Sequence, residues 1–260
     1  LQWTGGITGD ATKATYISPS FSGFQIGASL TPASGQNSGS IAVTDDDGNF
    51  ENVMSYGIKY AGKFDEIGVS AAFTGLNGTD EDANGSAQTV EDANIWAIGG
   101  KVDFSGFSLA ANFVDFDETG ITTANANNGA DAGSTWSVGV SYAAGPWGVS
   151  AWYLDHQKDN ATTSPAGARE SELTRIGFGV GYQFNEYFRA DLTGEYVFSS
   201  DFTGSTTGFC DAAAEAAGEL NCASVDTSSF TAFKVMANAY VDLGKFNGIT
   251  PYVGAGIGGA

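Results

Sequence analysis

Through most of the chain, bulky apolar residues alternate with small or polar ones at a period of two. In Met54-Ser55-Tyr56-Gly57-Ile58-Lys59-Tyr60, one face takes Met54, Tyr56, Ile58 and Tyr60, and the other takes Ser55, Gly57 and Lys59. Ile67, Val69, Ala71 and Phe73 alternate in the same way with Gly68, Ser70, Ala72 and Thr74. Trp136 to Tyr142 and Ile176 to Phe184 repeat the pattern. Successive side chains of a strand point to opposite faces, so each segment reads as a β-strand with one apolar stripe and one slim stripe. About twelve strands are predicted, over 11–18, 24–33, 51–61, 67–76, 93–104, 107–117, 134–144, 147–157, 172–184, 187–199, 230–244 and 249–259.

The connections alternate in length. Short turns are expected at Ser20–Gly23, Gly62–Glu66, Ser105–Gly106, Gly145–Pro146, Asn185–Glu186 and Lys245–Gly248. Long polar stretches fall between them, over 34–50, 77–92, 118–133, 158–171 and 200–229. Transmembrane barrels of bacteria pair short periplasmic turns with longer external loops, whereas a soluble sandwich has no reason to keep that asymmetry. The short turns would then face the periplasm and the long loops the outside.

The slim stripe decides which way the strands face. It is Gly, Ser, Ala and Thr with few charges, whereas water-exposed surfaces favour Lys, Glu, Asp and Arg. Only 15% of the 260 residues are charged, 13% are aromatic and 37 are glycine. A slim stripe suits the wall of a water-filled lumen, which leaves the apolar stripe to lipid. No apolar run reaches the length of a membrane helix, but a barrel strand needs only about 9–11 residues with every second one apolar. Aromatic residues cluster beside the short turns: Tyr60 with Phe64, Phe104 with Phe107, Tyr142 with Trp147, and Phe184 with Tyr187 and Phe188. Such rings favour the membrane–water boundary. The expected fold is therefore all-β, an antiparallel transmembrane barrel forming one domain over 1–260.

The formal net charge of −20 excludes nucleic acid as a partner, because phosphate binding needs clustered Lys and Arg. Much of the acid lies in the long loops. The run Asp45-Asp46-Asp47-Gly48-Asn49 lacks the ligand spacing of a calcium loop, so it reads as solvated charge, with divalent cations bridging loops or lipopolysaccharide as the sharper alternative. Alternation puts Arg175, Arg189, Asp191, Glu195, Lys234 and Asp242 on the inner face of the last four strands, and adds Lys59, Lys101 and Asp103 in the front half. These nine are the candidate pore-lining charges. They read either as an ion-pair network that stiffens a narrow barrel or as a set that tunes ion selectivity. Cys210 and Cys222 share one loop-like stretch and are candidates for a disulfide in an oxidising envelope, although spacing alone leaves pairing open. His156 beside Asp155 is the sole histidine. No metal cluster, phosphate loop or carboxylate pair accompanies it, so neither an enzyme nor a cofactor is expected. The chain begins at Leu1 without an initiator Met or a signal peptide, which reads as a processed form or a fragment.

Two resemblances sharpen this picture. Thr15-Tyr16-Ile17-Ser18-Pro19-Ser20-Phe21-Ser22-Gly23-Phe24-Gln25-Ile26-Gly27-Ala28-Ser29-Leu30 resembles the strand–turn–strand after the constriction loop of alphaproteobacterial general porins, and the hairpins of 51–157 are similar in style. That resemblance implies a sixteen-stranded homotrimeric barrel with residues 1–10 as the tail of the inward-folded loop. Residues 173–260 resemble small outer-membrane barrels of the surface-antigen type. This rests on Gly179-Val180-Gly181-Tyr182-Gln183-Phe184 and its continuation, and on Ala237-Asn238-Ala239-Tyr240-Val241-Asp242-Leu243-Gly244 with Thr250 to Gly258. The second resemblance implies eight to ten strands and a second barrel type. Both imply the outer membrane of a Gram-negative bacterium, surrounded by lipid and lipopolysaccharide. The expected function is passive diffusion of small hydrophilic solutes and ions, with a mild preference for cations from the acidic mouth. A plugged, structural or adhesive surface barrel is the rival.

Overall fold

The computed structural model of the protein describes residues 6–9, 11–34, 49–81, 89–160, 170–208, 222–244 and 250–260, with the backbone alone for 170, 201–208 and 222–227. Twelve strands form one antiparallel sheet in sequence order. They are β1 Ala14–Ile17, β2 Phe24–Ala33, β3 Phe50–Phe64, β4 Ile67–Asp80, β5 Ala93–Phe104, β6 Phe107–Asp115, β7 Ser134–Ala144, β8 Trp147–Asp159, β9 Glu170–Gln183, β10 Phe188–Gly208, β11 Cys222–Asp242 and β12 Tyr252–Gly259. Each strand pairs only with its sequence neighbours, so β1 and β12 are the edges among the described residues. The short turns carry the backbone signs that tight hairpins require. Ser105 and Gly106 both have positive φ, at 48° and 84°, and Gly145 has φ 55° ahead of Pro146. These primed turns match the right-handed twist of the flanking strands.

The two faces of the sheet differ as the alternation predicts. Ile26, Ile58, Phe73, Ile98, Leu109, Val140, Val180 and Leu192 lie on one face, and each is substantially exposed. A water-soluble body would bury such a stripe. Rings pack across strands in two bands on this face. Beside the short turns stand Phe24 against Tyr60, Phe107 against Tyr142 and Trp147 against Tyr182, with centroids 4.8, 4.2 and 4.6 Å apart. Toward the loops stand Trp96 against Phe113 and Trp136 against Tyr153, at 5.2 and 5.0 Å. Two bands bounding an aliphatic zone are the girdles of a membrane barrel. Some rings lie across a facing glycine: a Cβ at Gly75 would overlap the Tyr56 ring, and one at Gly194 the Phe178 ring.

Three strand spans match the sequence-based bounds at both ends, those of β2, β5 and β7. The largest departure is the expected loop over 200–229. In the structure β10 and β11 continue as a ladder from Ser200 opposite Phe230 to Gly208 opposite Cys222. Thr203, Thr206, Thr207 and Thr227 favour strands, but the sequence from Thr203 to Gly208 is a run of small and polar residues without alternation. The stretch 77–80 is likewise strand, not loop. Within 118–133 a single helical turn, α1 (Thr123–Ala126), sits against the preceding loop, where Glu91 N donates to Ile121 O at 2.8 Å.

Replacing Val140 by Arg at mid-span on the exposed stripe (46% exposed) should cost about 2–4 kcal/mol in a bilayer. Unfolding in lipid vesicles measures it, and an unchanged midpoint would reverse the assignment of the faces.

Candidate functional site: the inner wall

The register fixes what stands on the slim face. Lys59 lies opposite Gln25 and Ala72, Lys101 opposite Ser70 and Ala110, and Asp103 opposite Gly68 and Ser108. On the last strands Arg175, Arg189, Asp191 and Glu195 share the face with Lys234 and Asp242. All nine charges singled out in the sequence therefore stand on the face opposite the exposed apolar stripe. They are not all brought together.

The front wall is open. Thr15, Gln25, Gly27, Ser29, Ser55, Gly57, Ser70 and Thr74 line a hollow of about 640 Å³ together with alanines and with Tyr16, Ile26, Tyr56 and Ile58 of the other stripe. Lys59 stands in it with no ion pair among the described residues. Lys101 Nζ lies 2.8 Å from Asp103 Oδ2, and the Ser108 hydroxyl donates to Asp103 Oδ1. The back wall is cross-linked instead. Glu195 accepts from Arg175 Nη1 at 3.4 Å and from Lys234 Nζ at 2.7 Å, joining β9, β10 and β11. Arg189 Nε lies 3.2 Å from Asp242 Oδ2, and its guanidinium carbon lies 4.3 and 5.0 Å from the ring centres of Tyr240 and Tyr252. Asn238 Nδ2 donates to Asp191 Oδ1 at 2.7 Å. Each carboxylate meets a donor from a neighbouring strand, which offsets the loss of hydration on a crowded wall.

An apolar patch on this face was not anticipated. Val53 (0% exposed), Leu76 (1%) and Ala93 (1%) form a buried cluster, with Ile7 and Phe50 packed against it. Val53 shares the phase of Ser55, Gly57 and Lys59, so regular alternation turns it inward while Met54 stays outward. Just before it β3 carries a bulge: Asn52 adopts φ 51° and the register with β4 slips between Glu51 and Met54, and beyond the slip Phe50 packs against the cluster. An apolar Val53 on the otherwise slim stripe is the signal of the patch. Ile7 belongs to a 3-10 turn over Gly6–Thr8, so this segment lies against the inner face. Lys13 Nζ holds it through Thr8 Oγ1 at 3.2 Å and Gly9 O at 3.0 Å.

His156 and Asp155 do not act together. His156 Nδ1 is 2.8 Å from Thr135 Oγ1, whereas Asp155 accepts from Thr174 Oγ1 at 2.9 Å on the other face. Of the cysteines, Cys222 opens β11 and Cys210 falls outside the described residues, as does the run Asp45 to Asp47. The disulfide expectation thus lies outside them too.

Antiparallel strands with a lipid-compatible exterior and a polar interior define an outer-membrane β-barrel protein. A family model described as "Gram-negative porin" matches residues 2–204, and the chain belongs to that family. Its place is accordingly the Gram-negative outer membrane. Proteins of Brucella suis and Brucella melitensis, described as uncharacterised, are 43% identical over 89 residues, 32% of this chain. The match spans 30% of the length of those relatives. Among solved structures, an anion-selective porin from Comamonas acidovorans aligns at 15% identity with a TM-score of 0.48, over 71% of this chain and 48% of that one. A loop L8 deletion mutant of OmpT, an outer membrane protein of Vibrio cholerae, aligns at 15% identity with a TM-score of 0.45, over 76% of this chain and 63% of that one.

Glu195→Gln should lower the denaturant midpoint by about 1 kcal/mol of stability, a modest value because Arg175 and Lys234 are partly exposed. Adding Lys234→Met should recover part of that loss; strict additivity in the double-mutant cycle would mean the two do not interact.

Proposed function

We propose that the protein is a channel for passive diffusion of small hydrophilic solutes and ions, with the nine inner-face charges lining the path. One observation carries this reading: the exposed stripe is aliphatic and aromatic while the opposite face is slim and polar, with an open hollow along β1–β4. A wall of Gly, Ser and Thr offers water continuous hydrogen-bonding partners and occupies little of the cross-section. Membership of a porin family supports the same role.

The preference for cations belongs to this proposal. Glu51, Asp80, Glu91, Asp92, Asp117, Glu118 and Asp131 crowd the loop end among the described residues, where Lys13 and Lys158 are outnumbered. Such a mouth raises the local concentration of cations. The segment carrying Ile7 is the inward-folded tail: it narrows the path beside β3–β5 and is held by its contact with Val53 and Leu76.

The protein reconstituted in planar bilayers should give stepwise ionic currents. Absence of conductance across a full series of insertions would favour a plugged surface barrel, a reading that the ion-paired wall of β9–β11 supports. In a KCl gradient the reversal potential should show cation preference. Neutralising Asp117, Glu118 and Asp131 together should reduce it in dilute salt, with little effect near 1 M, where screening acts within about 3 Å. Ile7→Asp should release the segment and raise the open-channel current or its noise; an unchanged current would remove the segment from the path.

A further inference from the structure

We infer that the inner wall holds a subsite for a cyclic sugar, built on Trp152, so that neutral saccharides are a solute class of the channel; this rests on the diffusion reading above. Trp152 stands on the inner face of β8, between Gly139 of β7 and Gly177 of β9. A Cβ at Gly177 would overlap the indole, with Cε2 the nearest atom and its bonded neighbours Nε1 and Cζ2 next. That order puts the face of the ring, not its edge, over the glycine. One face of the indole rests on the backbone of β9, and the other is turned away from the sheet toward the path.

An indole face on a water-lined wall needs an occupant that is apolar on one side and polar at its edge. The negative face of an aromatic ring attracts the slightly positive C–H groups that line one face of a pyranose. The hydroxyl edge of that pyranose then requires donors and acceptors around the platform, and these are present. Ser150 flanks Trp152 on its own strand, and Ser137 is a diagonal neighbour on β7. The Ser137 hydroxyl donates to Asn112 Oδ1, which leaves the Asn112 amide Nδ2 without a partner among the described residues. On the other side Arg175 is diagonal to Trp152, and its Nε is buried with no hydrogen-bond partner. An unsatisfied buried donor is costly, but with almost no accessible surface this Nε lies out of a solute's reach, so the polar edge of the platform is Ser150, Ser137 and Asn112. Arg175 and Lys234 stand together on this wall around the single carboxylate of Glu195, so a free cation is a poor occupant.

The bland role of Trp152, cover for a glycine, predicts no difference between solutes of equal size. The test is open-channel current in planar bilayers with methyl β-D-glucopyranoside or with sorbitol at equal concentration, since sorbitol has the hydroxyls but no ring. The glucoside should reduce the current beyond the common viscosity effect, and sorbitol should not. Trp152→Ala should raise the half-blocking concentration roughly two- to tenfold, the range that ring stacking corresponds to, while Trp152→Phe keeps part of the block. Equal effects of the two solutes on the unsubstituted channel would overturn the inference and leave the diffusion reading standing. No current under any condition would remove that reading, and the subsite with it. Should Trp152→Ala fail to assemble, the comparison of the two solutes on the unsubstituted protein still decides.

Discussion

Hydrocarbon offers backbone amides no partner, and that constraint organises the molecule. Every N–H and C=O within the bilayer must bond inside the protein, and an antiparallel ladder joining each strand to the next meets that demand. Once the ladder is obligatory, side chains have two directions only. One direction meets lipid and is filled by Ile, Val, Leu and aromatic rings; the other meets water and is filled by Gly, Ser, Thr and a few charges. The usual relation between apolar residues and a central core is inverted. What remains of a conventional core is the small cluster of Val53, Leu76 and Ala93 at the loop end, where a segment of the chain covers the inner wall.

The two halves of the sheet use the inner direction differently. From β1 to β7 the wall is made mostly of residues too short to reach into the path, and its one close ion pair among the described residues, Lys101 with Asp103, joins residues on a single strand. From β9 to β11 the pairs run between strands, with Glu195 bridging Arg175 and Lys234. A cross-strand pair both stiffens the sheet and fills space. The match to the porin family extends to residue 204, within β10, and so includes Arg175, Arg189 and Glu195 of the cross-linked wall.

Much of this is legible in the sequence, because a period of two records the face of every residue. The nine inner-face charges and the bounds of β5 and β7 followed from alternation alone. Alternation fails where small and polar residues follow one another, as from Thr203 to Gly208, which is why the extension of β10 and β11 past Ser200 reads as loop. It fails again at the Asn52 bulge, where one extra residue shifts the phase of Glu51 and Phe50 against β4. The role of Trp152 was hidden for a third reason. Its neighbours across the sheet are glycines, which read as filler until the register shows what lies over them.

The rings laid across glycines carry a consequence for the history of the sequence. Where Tyr56 covers Gly75 and Phe178 covers Gly194, the glycine has no room to grow and the ring no other seat on that strand. Neither member can drift alone: enlarging one demands shrinking the other within the same lineage. Across diverged relatives such positions should change in concert, and their linked variation would report strand pairing without any structure at all.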